Sequence, residues 1–134
     1  MENKTTVFWF RRDLRLEDNI ALHHALNSGN VILPIFIFDE EIIDKLNTED
    51  SRITFIYETL KKMDAKLKTF GSSIKIYKGN PIHVWKNLLS NYTITNVFFN
   101  KDYEPYAINR DSKVSNILAA NNIPVLSYKD HVIF

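Results

Sequence analysis

Val7-Phe8-Trp9-Phe10 runs without a break into Arg11-Arg12-Asp13-Leu14-Arg15-Leu16-Glu17-Asp18-Asn19. Four large apolar residues with no polar alternation read as a strand buried on both faces. The charged stretch is then the loop at that strand's carboxyl end, and Asp18 or Asn19 stands where a following helix needs its cap. A strand covered on both sides by helices belongs to an α/β architecture, where ligands bind outside the carboxyl ends of the strands. The same loop is therefore the first candidate site.

The remaining chain repeats this alternation. Strands are expected over residues 6–10, 31–38, 73–77, 96–99 and 124–127. The second run is apolar throughout, the mark of burial on both faces, although its Pro34 lacks an N–H for a ladder. Helices are expected over 19–27 and 51–70, from Asn80-Pro81 through Tyr92, and over 105–120, with a short helical turn in 41–46. Their inward candidates follow three- and four-residue steps. These are Ile20, Leu22, His23 and Leu26; then Ile53, Ile56, Tyr57, Leu60, Met63, Leu67 and Phe70. In the last two helices they are Ile82, Trp85, Leu88, Leu89 and Tyr92, then Ile108, Val114, Ile117 and Leu118. Asp50 or Ser51 can cap the second helix, and Gly29 and Gly71 stand just past helix ends, where a left-handed residue is wanted.

Strands alternating with helices imply a doubly wound, five-stranded parallel sheet in a three-layer α/β/α, Rossmann-like fold; right-handed crossovers restrict it to a few strand orders, of which 3-2-1-4-5 is the expected one. The crevice of that order lies between Phe10-Arg11-Arg12 and Phe99-Asn100-Lys101-Asp102. One domain accounts for all 134 residues. The chain ends on apolar Val132-Ile133-Phe134 rather than a polar tail, so a fragment of a longer protein is expected.

Several chemistries are absent from the sequence. There is no cysteine, hence no disulfide, thiolate metal site or cysteine nucleophile. His23, His24, His83 and His131 show no metal-ligand spacing. Glycine occurs three times and never clustered, which excludes a P-loop and a dinucleotide fingerprint. A net charge of +1 lacks the basic stripe of a dedicated nucleic-acid binder. The longest apolar run, 31–38, is far too short to span a membrane, and a cytoplasmic protein is expected.

Two segments remain. Arg11, Arg12 and Arg15 either clamp an anion or a partner, or pair with Asp13, Glu17 and Asp18 into a rigid rim. Lys101-Asp102-Tyr103-Glu104-Pro105-Tyr106 follows the fourth strand. It offers carboxylates and aromatic rings to a planar ligand, and it also starts a helix. Trp9 and Trp85 fit the core better than a ligand site.

The segment from Phe8 to Leu22 resembles the amino-terminal signature of the DNA photolyase/cryptochrome family. Asn100-Lys101-Asp102-Tyr103-Glu104-Pro105-Tyr106-Ala107, followed by Arg110-Asp111, resembles that family's second segment in the same domain. The resemblance implies an amino-terminal antenna domain, residues 1–134, of a chain whose larger helical carboxyl-terminal domain holds FAD and meets damaged DNA. It implies no catalytic residue in this part, and a monomer is expected. Its implied function is to absorb near-ultraviolet or blue light and pass the excitation to FAD. Phe10, Arg11, Arg12, Asp13, Asp102, Glu104 and Tyr106 are the implied chromophore-binding residues, with Asp102 facing the ring. Folate-using members carry an Asn-Glu pair where this chain has Tyr106-Ala107, so the resemblance favours a deazaflavin or flavin antenna over methenyltetrahydrofolate. Other readings are the same domain of a cryptochrome blue-light receptor, a free-standing nucleotide-binding module, and a protein-docking domain with an empty crevice.

Overall fold

The computed structural model describes residues 4–11, 13–43 and 51–129. Strand β1 (Lys4–Phe10) leads to α1 (Ile20–Leu26), β2 (Val31–Asp39) and the single turn α2 (Glu40–Ile43). Then come α3 (Ser51–Lys68), β3 (Lys75–Gly79), α4 (Pro81–Asn91), β4 (Thr93–Asn100), α5 (Pro105–Ala120) and β5 (Val125–Tyr128). All five strands are parallel, in the order β3-β2-β1-β4-β5. This is the expected doubly wound sheet, with β1 central and the strand order reversing between β1 and β4.

Alternation along β1 sorts the two core layers. Val7 and Trp9 face α4 and α5, where they pack with Trp85, Leu88, Val114 and Leu118. Phe8 and Phe10 face α1 and α3, against Ala21, Leu22, Ala25, Leu60 and Met63. Both tryptophans are buried, as their apolar surroundings imply, and their rings meet edge to face at 5.5 Å. Pro34 sits opposite Phe8, whereas β2 begins pairing with β3 only at Ile35. At Pro34 one side of the strand has no ladder, and a missing N–H directed there breaks nothing.

Local signals fix most ends. Asn19 caps α1, its side chain accepting from Leu22 N, and Asn80 caps α4 ahead of Pro81. Gly29 and Gly71 adopt φ of 84° and 79° just past α1 and α3, as a left-handed helix stop requires. Helix α5 spans its expected residues.

The inward faces differ in places. In α1 the buried residues are Ala21, Leu22 and Ala25, while His23 and Leu26 are exposed and Ile20 is half-buried. Two alanines let the helix lie close to the sheet, which rotates the larger side chains outward. In α5 Ala107 is buried and Ile108 exposed for the same reason. Tyr57 and Phe70 of the α3 region are exposed, because α3 packs near the sheet edge and buries one narrow stripe around Leu60 and Met63. Strand β3 lies two residues later than expected. The short turn expected over 41–46 appears in part as α2, while its residues 44–46, with Asp50, Arg12, His131 and the apolar 132–134 stretch, lie outside the described residues.

Candidate functional site

Beyond Phe10 the alternation of β1 continues, so Arg11 follows Val7 and Trp9 toward α5. There the inward stripe of α5, Ala107, Val114 and Leu118, passes through positions 110 and 111. The two patterns bring charged residues together under cover. Arg11 Nη1 donates to the Asn100 carbonyl at 2.9 Å, and its Nη2 pairs with Asp111. Its guanidinium lies between two rings, 4.7 Å from the centroid of Trp9 and 4.3 Å from that of Phe99.

Strand β2 contributes in the same register: Asp39 follows Ile35 and Ile37 on that face. It is 4% exposed, accepts from Tyr106 Oη at 2.7 Å and pairs with Arg110 at 3.6 Å. Arg110 also reaches Asp111 at 3.3 Å and lies 5.0 Å above Trp9. The first turns of α5 are thus bound across the end of β1 to the end of β2, over the point where strand order reverses. Arg11 Nε and Arg110 Nη2 are buried without a hydrogen-bond partner among the described residues. Both belong to guanidiniums on aromatic faces, where ring attraction of about 2 kcal/mol can offset a missing acceptor.

On the other face, Asn100 ties the loop after β1 to α1. Its Nδ2 donates to Asp13 Oδ2 at 2.5 Å and Asn19 Oδ1 at 2.7 Å, and its Oδ1 accepts from Ala21 N. Asp13 Oδ1 accepts from Arg11 N at 2.8 Å. Burial raises the Asp13 pKa above its ordinary value against these hydrogen bonds. Burial likewise lowers that of Arg11, countered by Asp111. The Tyr106 phenol is pushed well up, first by burial and then by its bond to Asp39.

This arrangement corrects one expectation. Arg11 does not close a rim with the acids of its own loop; its carboxylate is Asp111, one hundred residues away. Glu17 meets Lys66 of α3, and Arg15 Nε donates to the Asp18 carbonyl. Loop stiffness comes from backbone donors and Asn100.

Of the other residues singled out in the sequence, Phe10 lies wholly in the α1/α3 layer. Asp102 is half-buried, and its Oδ1 accepts from Glu104 N at 3.1 Å in the turn that starts α5. Glu104 is the N-cap residue and exposed, Tyr103 is 60% exposed, and Tyr106 is half-buried over Asp39. Arg12 lies outside the described residues. Asp39, Arg110 and Asp111 were missed as site residues; extending the strand and helix periods into charged positions would have found all three.

A protein-family model described as DNA photolyase matches residues 6–134. A (6-4)DNA photolyase of Arabidopsis thaliana is 30% identical over 96% of this chain and 25% of its own length. A deoxyribodipyrimidine photo-lyase of Synechococcus is 28% identical, and a cryptochrome-1 of Aedes aegypti 29%. The chain thus spans about a quarter of the curated relatives it matches. Among solved structures, an archaeal photolyase from Sulfolobus tokodaii superposes with a TM-score of 0.82 at 28% identity, over 96% of this chain and 30% of that one. That protein holds two FAD molecules, described as implying a novel light-harvesting cofactor. A Synechocystis cryptochrome shares the fold at a TM-score of 0.87 and 21% identity, covering 96% of this chain and 28% of its own. With its fold and both sequence segments accounted for, the chain belongs to the DNA photolyase family.

Proposed function

We propose that this chain is the antenna-chromophore domain of a deoxyribodipyrimidine photolyase. It takes up a second pigment in the crevice over the strand reversal and passes excitation to FAD in a helical carboxyl-terminal domain. That partner domain, not this one, meets damaged DNA and splits pyrimidine dimers. A cytoplasmic, monomeric protein fits this reading.

The observation that carries it is the composition of the crevice wall. Asp102, Tyr103, Glu104 and Tyr106 follow the end of β4, beside the end of β1, and bring two aromatic rings and two carboxylates to that end of the sheet. A flat heteroaromatic ring suits such a wall: tyrosines stack on its face, and a carboxylate accepts its N–H or hydroxyl. Asp102 is assigned the ring-facing carboxylate, with Glu104 and Tyr106 beside it. Arg11 and Asp13 support that wall from behind through Asn100, and Phe10 lies in the layer beneath; Arg12 keeps its proposed role in pigment binding. When bound, the pigment supplies absorption of near-ultraviolet or blue light; the residues here hold it, orient it and exclude water.

Two features favour a deazaflavin or flavin over methenyltetrahydrofolate. Ala107 is 3% exposed and has no carboxylate where folate-using members carry glutamate. The Sulfolobus relative is described with a second FAD in a light-harvesting context. The same domain of a cryptochrome is the second reading, because a cryptochrome matches at 29% and a photolyase at 30%.

The test is the absorption spectrum of the full-length protein purified with its native pigments. A band beyond those of FAD, lost in Asp102→Ala with the fold intact, is the expected result. FAD bands alone, in a preparation that also rejects added FMN and 8-hydroxy-5-deazariboflavin, would contradict it. Dimer repair by this chain alone would contradict the two-domain assignment.

A further inference from the structure

Trp9 has two cations on its ring. The guanidinium carbons of Arg11 and Arg110 lie 4.7 and 5.0 Å from its centroid, and the indole itself is 1% exposed. The carboxylates of the cluster, Asp111 and Asp39, are bonded to these guanidiniums. Anchoring Arg11 requires no indole, since Asp111 and the Asn100 carbonyl already hold it. A positive charge over the ring stabilises the neutral π system and destabilises an indole that has lost an electron. The screen by water that would weaken this effect is excluded by burial.

Arg110 also lies 5.9 Å from the Tyr106 ring. A ring stacked on the outer face of Tyr106 would be separated from Trp9 by the tyrosine ring and the Arg110 guanidinium, a span that electron transfer can cross. Photoexcited flavin-type rings are strong one-electron oxidants, and a buried tryptophan is an accessible donor. In that step one electron would leave Trp9 and enter the excited ring. The indole would become a radical cation, the ring would be reduced by one electron, and no atom would move. The excitation would be lost as heat on return of the electron.

We propose that Arg11 and Arg110 raise the oxidation potential of Trp9, so that a photoexcited flavin or deazaflavin in the crevice keeps its excitation instead of oxidising this indole. The inference rests on the antenna reading and adds a function for the buried arginines, which are positioning residues acting through Trp9.

The experiment places Arg110→Met, Arg110→Gln and the charge-conserving Arg110→Lys in a Trp85→Phe background, which leaves Trp9 as the sole tryptophan of the two. The one-electron potential of Trp9 is read without any ligand, by pulse radiolysis against radical oxidants of graded strength. Near-ultraviolet circular dichroism checks folding, so that either neutral variant suffices. The expected result is a lower potential in the neutral variants and a near-parental one in Arg110→Lys. With FMN or 8-hydroxy-5-deazariboflavin bound, the excited-state lifetime should shorten severalfold in the neutral variants, and an indole radical should appear in transient absorption. An unchanged Trp9 potential in a folded neutral variant would overturn the inference while leaving the antenna reading intact. An unchanged lifetime despite a lowered potential would overturn the protective role. Failure of both pigments to bind the parent chain would remove the antenna reading and the inference with it.

Discussion

Strand β1 ends in a polar network at each extremity, and the two are built differently. At its amino end the groups are neutral. Thr6 Oγ1 donates to Asn96 Oδ1 at 2.5 Å and accepts from Asn30 Nδ2 at 3.2 Å, while Asn30 also reaches Thr95. At its carboxyl end Arg11, Asp13, Asp39, Asn100, Arg110 and Asp111 interlock under cover. Short hydroxyl and amide side chains can satisfy one another at little cost in desolvation. Buried ions carry a desolvation cost of several kcal/mol each, so replacing them by apolar residues is often neutral or stabilising. A fold that only needed to fasten its strands has the cheaper solution in hand at the other end. The charged network thus fits the proposed back wall of a pigment site.

The contrast is sharpest in Asp111→Ala, which strands the Arg11 guanidinium. Breaking a buried pair from one side costs about 3–5 kcal/mol, and urea unfolding should show a loss of that order. A loss below about 1 kcal/mol would mean that the pair behaves like an exposed one. At the neutral end, Thr6→Val keeps the shape and removes the hydroxyl, leaving buried amide groups short of a partner. The expected loss is about 1–3 kcal/mol, unchanged across pH because no titrating group takes part. Tyr106→Phe removes the half-buried bond to Asp39, for which about 1–2 kcal/mol is expected. It should also loosen the first turn of α5, visible as faster amide exchange there.

The smallest effect is a pH dependence found at one end alone. The folded pKa of Asp13 is raised above 3.8 by burial. The folded state then binds that proton more tightly than the unfolded chain does. The contribution is full below pH 3.8 and is lost as pH rises through the folded value. The stability difference between the parent and Asp13→Asn should therefore fall on going from pH 3 toward neutrality. A difference that instead grows with pH would show that the bonds from Asn100 and Arg11 N outweigh burial.

The alternation of strands and helices was legible in the sequence because it rests on local periods and caps: Asn19, Asn80-Pro81, Gly29 and Gly71 mark ends without help from the fold, whereas the alternation alone left a few strand orders open. Strand β3 was misplaced by two residues because an edge strand begins where its neighbour offers a partner, here Ile35 opposite Lys75. The inward faces of α1 and α5 were misread by weighting large side chains, when close approach to a sheet selects alanine. The pairing of Arg11 with Asp111 joins residues at opposite ends of the chain, and only the completed sheet brings them together. Asp102, Glu104 and Tyr106 were legible as a candidate wall because they follow a strand that borders the reversal.

The central claim is that the charged end of β1 backs a pigment site while the neutral end only fastens the sheet. Equilibrium titration of the chain with FMN and with 8-hydroxy-5-deazariboflavin, followed by pigment fluorescence polarisation, tests it directly. The account predicts saturable binding to the parent and to Thr6→Val alike, and at least roughly tenfold weaker binding to Asp102→Ala, as loss of a charge-assisted hydrogen bond implies. Equal binding by the parent and Asp102→Ala, or no binding by any of the three, would contradict it.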